Sequence, residues 1–348
     1  MSIVIITGSG GLIGAESAKF LSKKFKKVIG IDNDMRAYFF GKSSSVKKNI
    51  INIKKAIKNY KHYNVDIRNN YKIKKIFKKY GKNILYIVHC AAQPSHDWAA
   101  REPLVDYSIN STGTLNILEN IRSICPKAKL AYLSTNKVYG DRPNYLPLKE
   151  KKLRYELVKK NKYHKKGIDE FMNIDDCKHS LFGASKLSAD IYCQEYIKYF
   201  NLKIGIFRGG CLTGPLHQGA ELHGFLNYLI KAAKEKKTYK IYGYKGKQVR
   251  DNIHSSDVVL ALWNFYKTKN NSGVYNIGGG RANSCSILEI IKILKEKYNL
   301  KLNYKIIKSN RIGDHKWYIS DMSKFKRKHK NWKIKKSLKE IINEMAKS

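Results

Sequence analysis

The chain has 348 residues, of which 43% are hydrophobic, so it can bury a full core in one large domain or two smaller ones. The apolar segment after the first two residues has no basic leader, so we predict no signal peptide. No apolar stretch reaches the ~20 residues that cross a bilayer, so we predict no membrane partner. Six cysteines without paired spacing indicate reduced thiols and a cytoplasmic protein.

The formal net charge is +42, which raises the hypothesis of a nucleic-acid partner, because clustered cations release counterions from phosphate backbones. The distribution of the charge argues against this hypothesis. Only 11 of the 69 basic residues are arginines, and the lysines lie on the outer faces of almost every predicted helix. We therefore predict a solvated lysine-rich surface that weakly attracts anionic nucleotides, and no nucleic-acid partner.

Short β-branched runs alternate with amphipathic helical stretches in the first part of the chain. The predicted strands are 3–7, 27–32, 62–66, 84–89, 129–134 and 202–207. This alternation predicts an α/β fold with a doubly wound parallel sheet, that is, a Rossmann domain over residues 1–205.

The rhythm becomes looser in the second part of the chain. A helix near 222–235 and a turn-rich stretch at 242–254 predict a smaller C-terminal substrate-binding domain over 206–348, with some segments returning to the first domain. The polar insert 142–180 lies between a strand and the next helix, where substrate loops are usually carried.

Three glycines follow the first strand at the spacing of a dinucleotide-binding loop. Gly8 permits the tight turn, Gly11 lets the backbone approach a pyrophosphate, and Gly14 lets the helix pack closely on the sheet. The amides that open this helix, at Leu12 and Ile13, face the phosphates. The next strand ends at Asp32, at the offset expected for a carboxylate that binds ribose hydroxyls.

Asp32 also predicts NAD rather than NADP, because a carboxylate repels a 2′-phosphate, although Arg36 could offset the repulsion. Two further strand ends are predicted to contact the cofactor. The residues assigned to the ribose and the adenine are Asn33, Asp66 and Ile67, and a simple capped strand end is the alternative for the last two. The small residues of the fourth strand end leave room for the cofactor, and the residues assigned there are Ala91, Ala92 and Gln93.

The order of motifs along nearly the whole chain resembles the extended short-chain dehydrogenase/reductase family. The motifs are TGSGGLIG (7–14), NSTGTLNILE (110–119), STNKVYGD (134–141), GASK (183–186), QVRDNIH (248–254) and YNIGGG (275–280). Within this family, STNKVYGD and GKQVRDNIH look most like the CDP-paratose 2-epimerase (tyvelose epimerase) branch. The resemblance implies an NAD-dependent nucleotide-sugar epimerase, in which hydride leaves a sugar carbon, the ketone turns, and hydride returns to the opposite face.

The residues after Thr135 separate this reaction from dehydration. Sugar 4,6-dehydratases of the family carry an Asp–Glu pair there, whereas Asn136 and Lys137 stand at those positions here. Without the acid–base pair, epimerases and decarboxylases remain, and epimerisation fits best. A 4-epimerase, a decarboxylase and a non-catalytic NAD-binding regulator are the alternatives.

The resemblance places Thr135 at the reacting sugar oxygen and Lys186 at the nicotinamide ribose. The family's catalytic tyrosine, four residues before the lysine, is replaced by Phe182, which cannot accept a proton. We predict that His179 or an insert residue replaces it. The candidates are His179, His96, Tyr155 and Tyr163, and each could instead be an ordinary loop or surface residue.

Arginine forks suit anionic diphosphates, and three arginines stand at loop positions of the second half. The residues predicted to bind substrate there are Arg208, Arg250, Arg311 and Asp314, together with Asn136. The segment 214–225 matches the family's substrate-contacting segment, which adds His217, Glu221 and His223 as pocket candidates or as a simple helix cap. We predict no metal site, because hydride chemistry needs none, and a CDP-sugar is the favoured substrate. The resemblance implies a homodimer that packs through the helix of GASK.

Overall fold

The computed structural model describes residues 1–217, 224–311 and 313–347. Within these ranges the strands are β1 (Ile3–Thr7), β2 (Lys27–Ile31), β3 (Tyr60–Tyr63), β4 (Ile84–His89), β5 (Lys129–Thr135), β6 (Leu148–Glu150), β7 (Tyr155–Leu157), β8 (Lys203–Gly209), β9 (Cys211–Thr213), β10 (Tyr239–Tyr242), β11 (Val249–His254), β12 (Gly273–Ile277), β13 (Ser284–Ser286), β14 (Tyr304–Ile307) and β15 (Trp317–Tyr318).

The helices in the same ranges surround these strands. They are α1 (Leu12–Leu21), α2 (Met35–Phe40), α3 (Lys47–Ala56), α4 (Asn70–Tyr80), α5 (His96–Arg101), α6 (Pro103–Tyr107), α7 (Gly113–Ile124), α8 (Ser180–Phe200), α9 (Phe225–Lys234), α10 (Ser255–Lys267), α11 (Ile287–Tyr298), α12 (Ser323–Lys328) and α13 (Leu338–Lys347). A π-helical turn, Ser108–Thr112, joins α6 to α7. None of the helices in the described ranges has the length and apolar composition needed to cross a bilayer.

The predicted α/β Rossmann fold is confirmed. Seven described strands form a parallel sheet in the order β12-β8-β5-β4-β1-β2-β3. The strand order reverses between β1 and β4, and ligands of such sheets bind in the crevice at the carboxyl ends of the strands next to this reversal. The fold therefore directs attention to the loops that follow β1 and β4.

The sheet is buried on both faces. In β1, Ile3 and Ile5 join one apolar core, whereas Val4 and Ile6 join the other, and all four are fully buried. Burying each such side chain stabilises the fold by about 1.5–3 kcal/mol. A core on each face explains why these strands read as continuous apolar runs rather than as alternating ones.

The third strand differs from the prediction, since it covers Tyr60–Tyr63 rather than 62–66. Its last pairing with β2 is Ile31 with Tyr63, and the amide of Asp32 then donates to the Tyr63 carbonyl. The chain turns after this point because the Asp66 carboxylate accepts the Arg68 amide at 2.8 Å. This local turn ends β3 at Tyr63, before the predicted end at residue 66.

The second half of the chain contributes to the cofactor sheet and also builds smaller sheets. β12 pairs with β8 and is one of the two edge strands of the seven. β11 pairs with β9, β13 and β15, while β10 pairs with β14. In the insert 142–180, β6 and β7 form an antiparallel pair, and Ile168 forms a bridge with Ser320.

Candidate active site

A cavity of about 480 Å³ opens at the carboxyl ends of β1 and β4. Its wall begins at the glycine loop after β1, passes the ends of β4 and β5, and continues to β11 and to residues 311 and 314. The cavity is therefore one continuous space from the glycine loop to β11, as a dinucleotide lying next to a nucleotide sugar would require.

The glycine loop leaves no room for side chains. Gly8 has a φ of +66°, a conformation that favours glycine, and its amide donates to the Ile31 carbonyl at 2.8 Å. A Cβ at Gly14 would lie 2.1 Å from the carbonyl oxygen of Gly8. The first turn of α1 is thus packed directly on the loop, and Leu12, Ile13 and Gly14 line the cavity there. The first amides of a helix have no partner within the helix, so this turn suits a phosphate group.

Asp32 closes the loop through two hydrogen bonds from backbone amides. Its Oδ2 accepts the Gly10 amide at 2.9 Å and its Oδ1 accepts the Asp34 amide at 2.8 Å. Burial raises the pKa of Asp32, while these two amides act in the opposite direction. Arg36 lines the same part of the cavity, and burial lowers its pKa to about 10.

Most residues predicted to bind the cofactor line the cavity. They are Gly8, Gly11, Leu12, Ile13, Gly14, Asp32, Asn33, Asp66, Ile67, Ala91, Ala92 and Lys186. Gln93 is the exception, since it does not line the described cavity. Its amide side chain is buried beneath the wall and donates to Asp106 at 2.7 Å, while its backbone amide donates to Asn110 at 2.9 Å. Gln93 therefore supports the end of β4 rather than the cofactor.

Thr135, the last residue of β5, and Lys186 of α8 both line the cavity. The Thr135 hydroxyl accepts the Lys137 amide at 3.2 Å. The ammonium of Lys186 donates to the Leu133 carbonyl at 2.8 Å and lies 4.4 Å from the centre of the Tyr132 ring. Burial lowers the pKa of Lys186 to about 8.

Phe182 lies on the same wall and contacts His96. The centres of the two rings are 5.0 Å apart, and their planes meet at 76°. Nδ1 of His96 is 2.8 Å from the Ser180 hydroxyl, and the His96 ring also lines the cavity. The position that the family fills with tyrosine is thus occupied by an apolar ring in edge contact with an imidazole.

The other residues named as substitutes for the tyrosine do not belong to the described cavity wall. Nε2 of His179 is 2.7 Å from the Ile174 carbonyl and 3.5 Å from Sγ of Cys177, and the residue does not line the described cavity. Tyr163 is buried in the core under the insert, and Tyr155 lies in β7. Neither tyrosine lines the described cavity wall.

Charged groups form the far side of the cavity. Arg250 donates to the Asp314 carboxylate at 2.5 Å, and the Lys137 ammonium lies 3.7 Å from the same carboxylate. Burial alone raises the pKa of Asp314, but Arg250 and Lys137 outweigh it and hold this pKa well below its usual range. Arg311 also lines the cavity and pairs with Asp97 at 2.5 Å.

Arg208 was predicted to bind substrate, and the structure places it outside the described cavity wall. Its guanidinium donates to both carboxylate oxygens of Asp190, at 3.1 and 2.9 Å, and contacts the Tyr139 hydroxyl at 3.2 Å. Arg208 is buried and does not line the described cavity. Its fork holds α8 to β8 instead of facing a phosphate.

The remaining substrate candidates divide into two groups. Asn136 and His217 line the cavity, and burial lowers the pKa of His217 to about 3. Glu221 and His223 fall within 218–223, outside the described residues.

The sequence model of the NAD dependent epimerase/dehydratase family matches residues 4–278. The chain belongs to this family. It is 30% identical over 351 residues to the CDP-paratose 2-epimerase of Salmonella typhi, covering 98% of this chain and 97% of that protein. It is 29% identical over 349 residues to the UDP-glucuronate 4-epimerase of Thermodesulfobacterium geofontis, covering 99% and 96%.

A solved structure gives the same assignment. A Tyr-to-Phe mutant of UDP-glucuronic acid 4-epimerase from Bacillus cereus, bound to NAD and UDP-4-deoxy-4-fluoro-glucuronic acid, matches with a TM-score of 0.79 and 25% identity, over 99% of this chain and 98% of that one. The predicted class, an NAD-dependent nucleotide-sugar epimerase, is confirmed by these relatives.

The described residues of the enzyme fit NAD. A Cβ at Gly14 would collide with the Gly8 carbonyl, so glycine keeps the first turn of α1 close to the loop, and the Asp32 carboxylate stands beside this loop. NAD is the cofactor of the family.

Sequence reasoning missed several residues of the cavity wall. Lys137 was used only to exclude dehydration, and Gln248 and Asn252 were not named, although both line the cavity with Arg250. Gln248, Arg250 and Asn252 occupy every second position of the chain, and this was the available signal, because alternate residues of a strand face the same side.

Proposed function

We propose that the enzyme inverts C2 of a CDP-deoxysugar through a transient ketone. The observation that carries the proposal is the wall formed by Thr135, Asn136 and Lys137, which combines a hydroxyl, an amide and a cation at one point of the cavity. This wall lacks the two carboxylic acids that dehydration of a sugar requires. The 30% identity to a CDP-paratose 2-epimerase over almost the whole chain supports the choice of carbon and nucleotide.

We assign three wall residues to contacts with the reacting sugar and with the nicotinamide ribose. The Thr135 hydroxyl binds the reacting oxygen, and the Asn136 amide holds a neighbouring hydroxyl. The Lys186 ammonium, anchored by the Leu133 carbonyl, binds the nicotinamide ribose and stabilises negative charge on the sugar oxygen. Bound NAD supplies the acceptor and later the donor of the hydride.

The rest of the wall holds the two nucleotides. We assign the loop from Gly8 to Gly14, together with Asp32, Asn33, Asp66, Ile67, Ala91 and Ala92, to NAD. Arg250 and Arg311 bind the diphosphate of the substrate, because a guanidinium presents two parallel donors to phosphate oxygens. Asp314 positions the Arg250 fork through their 2.5 Å contact. His217 is assigned to the substrate with them.

A panel of nucleotide sugars tests the reaction. The purified enzyme is incubated with NAD and with CDP-, UDP-, GDP- and dTDP-sugars, and each mixture is followed by NMR. Inversion at C2 of a CDP-deoxysugar is the expected result. Tight binding of NAD with no change in any sugar would contradict the proposal and favour a regulatory role.

A 4-epimerase is the second candidate, and the identity of 29% to a UDP-glucuronate 4-epimerase supports it. The same panel separates the two reactions, because the coupling constants of the sugar protons identify the inverted carbon. Inversion at C4 of a UDP-sugar, with CDP-sugars unchanged, would replace the first proposal by this one.

We also propose that the enzyme is a homodimer through α6 and α8, which pack side by side. Large apolar side chains are exposed on these two helices, and they include Leu104 at 85% and Tyr199 at 78% exposure. Such a surface is typical of a helix-to-helix interface. Light scattering after size-exclusion chromatography measures the mass, and Leu104→Glu is expected to convert a dimer into a monomer.

A further inference from the structure

Epimerisation through a ketone requires a group that takes a proton from the sugar hydroxyl, and Phe182 cannot do so. Four candidates follow from the sequence, and three of them do not line the described cavity. His96 is the fourth, and it shares the cavity wall with Thr135 and Lys186. The inference below rests on the proposed function, since it concerns the proton of the same reaction.

The imidazole of His96 is fixed on one side. Its Nδ1 lies 2.8 Å from the Ser180 hydroxyl, and the plane of its ring makes an angle of 76° with the plane of the Phe182 ring. The backbone of Gly313 packs against the same edge of the ring, because a Cβ there would lie 2.9 Å from both Cε1 and Nδ1 of His96. Within the described part of the chain, Nε2 makes no hydrogen bond. The ring is therefore oriented while one nitrogen stays available.

We propose that Nε2 of His96 exchanges the proton of the reacting sugar hydroxyl, in place of the missing tyrosine. In the oxidation, the O–H proton passes to Nε2 and the hydride on the same carbon passes to NAD, so the alcohol becomes a ketone and the ring becomes an imidazolium. In the reduction, the hydride returns to the opposite face and Nε2 returns the proton. The chain ends the cycle unchanged.

The step that we propose needs the proton of the neutral ring on Nδ1. The Ser180 hydroxyl oxygen, which accepts the Gly183 amide at 3.3 Å, has a second acceptor position that fits Nδ1–H of His96 across their 2.8 Å separation. With the proton on Nδ1, the lone pair of Nε2 is free to accept. Ser180 is therefore a positioning residue, which acts on the substrate only through the imidazole.

Burial keeps the free His96 ring neutral, and the surrounding charges also act on it. Lys137, Arg250 and Arg311 are cationic, and Asp314 is anionic. Burial and then the first of these cations lower the pKa of His96 to about 3. A bound diphosphate adds negative charge beside the arginines and raises this pKa again, so the ring gains basicity when substrate is present.

Lys137 is the competing group, because it lines the same wall. Its ammonium donates to the Gly313 carbonyl at 2.8 Å and lies 3.7 Å from Asp314. Burial lowers its pKa to about 8. At neutral pH it is mostly charged, and it already contacts the Gly313 carbonyl and the Asp314 carboxylate, which suits a cation that holds an anion better than a proton acceptor.

The test compares His96→Gln, Phe182→Tyr, the double variant and Lys137→Met with the wild-type enzyme. His96→Gln is expected to lower kcat by ~10²- to 10⁴-fold, while the Kd values of NAD and CDP stay within about twofold of wild type. The double variant is expected to recover part of the loss, because the phenol returns to the position beside Lys186. His164→Gln, in the insert, is the matched control and keeps full activity.

A second measurement does not depend on turnover. In ¹⁵N-histidine-labelled enzyme loaded with NAD, the His96 signals, identified by their loss in His96→Gln, are expected to report a neutral ring protonated at Nδ1 at pH 7. Addition of CDP-glucose is expected to shift Nε2 more than Nδ1. A ring protonated at Nε2, or one that does not respond, would overturn the proposal.

The outcomes separate this inference from the function on which it rests. If the wild-type enzyme converts no sugar of the panel, both fail. If wild type and His96→Gln convert the sugar equally well, only the role of His96 fails. If Lys137→Met abolishes turnover while His96→Gln does not, the proton passes through Lys137 instead.

Discussion

The guanidinium of Arg208 forms a two-bond ion pair with the carboxylate of Asp190 inside the protein. The side chains are 5% and 0% exposed, and the pair joins β8 to α8. Because α8 also carries Phe182 and Lys186, this pair fixes the helix that brings both to the cavity. An arginine that the sequence predicts as a phosphate ligand thus has a structural role.

Arg208→Met is expected to destabilise the enzyme strongly. It leaves the Asp190 carboxylate buried without its partner, which costs roughly 3–5 kcal/mol. Urea denaturation followed by circular dichroism measures the loss, and the control Arg122→Met, which breaks an exposed pair with Glu119, is expected to cost less than about 1 kcal/mol. Unchanged stability with weakened CDP binding would return Arg208 to the substrate site.

Arg250→Met is expected to weaken the binding of CDP by about 10- to 100-fold, since it removes a charged donor worth about 1.5–3 kcal/mol. The Kd of NAD is expected to stay unchanged, because the dinucleotide loop lies at the other end of the cavity. Isothermal titration calorimetry gives both constants. Arg327→Met, on the exposed end of α12, serves as the control. Equal losses for NAD and CDP would contradict the assignment.

Asp32→Asn is expected to weaken NAD binding by about 10- to 100-fold, because the amide cannot accept both backbone bonds and binds ribose hydroxyls less strongly. The discrimination against NADP is expected to decrease at the same time, since the repelling charge is gone. Fluorescence titration with both cofactors measures the change, and Asp175→Asn, an exposed aspartate of the insert, is the control. An unchanged NADP/NAD ratio would show that Asp32 does not select the cofactor.

Lys186→Met is expected to change the pH dependence of stability in a defined direction. Burial lowers the folded-state pKa of Lys186 from 10.5 to about 8. Below pH 8 the lysine is charged in both the folded and the unfolded state. Burial of this charge therefore lowers the free energy of unfolding of the wild type by the full desolvation cost. Between about pH 8 and pH 10.5 the folded lysine is neutral while the unfolded one is still protonated, and wild-type stability rises.

The stability of Lys186→Met relative to wild type is therefore expected to fall by roughly 3 kcal/mol between pH 7 and pH 10.5. Urea denaturation of both proteins at intervals across this range provides the measurement, and other titrating groups cancel in the difference. Lys198→Met, whose side chain is 67% exposed, is expected to give a flat difference. A flat difference for Lys186→Met would mean that its amine is not desolvated.

The sequence predicts the sheet and the dinucleotide loop well because both depend on local patterns. Apolar runs define the strands, and the spacing from Gly8 to Gly14 is fixed by the turn itself. The end of the third strand was predicted late, because the hydrogen bond between Asp66 and Arg68 stops the strand while the apolar pattern continues.

The far side of the cavity was harder to predict because it depends on contacts between distant segments. In the sequence, Arg250 and Arg208 both stand at predicted loops or strand ends, so local patterns do not distinguish their roles. Their ion-pair partners in the structure do. Asp314 faces the cavity with Arg250, whereas Asp190 draws Arg208 into the interior. His96 and His179 differ in the same way, because no local pattern tells which ring reaches the wall.

The edge strand β12 completes the cofactor sheet late during synthesis of the chain. β8 pairs with β5 on one side and with β12 on the other, but β12 is synthesised only after α9, β10, β11 and α10. A nascent chain that has just completed β8 therefore exposes a row of unpaired amides and carbonyls beside the apolar ring of Phe207. Until β12 emerges from the ribosome, this edge can capture strands of other molecules, so correct assembly of the nucleotide-binding sheet depends on a segment encoded far downstream of it.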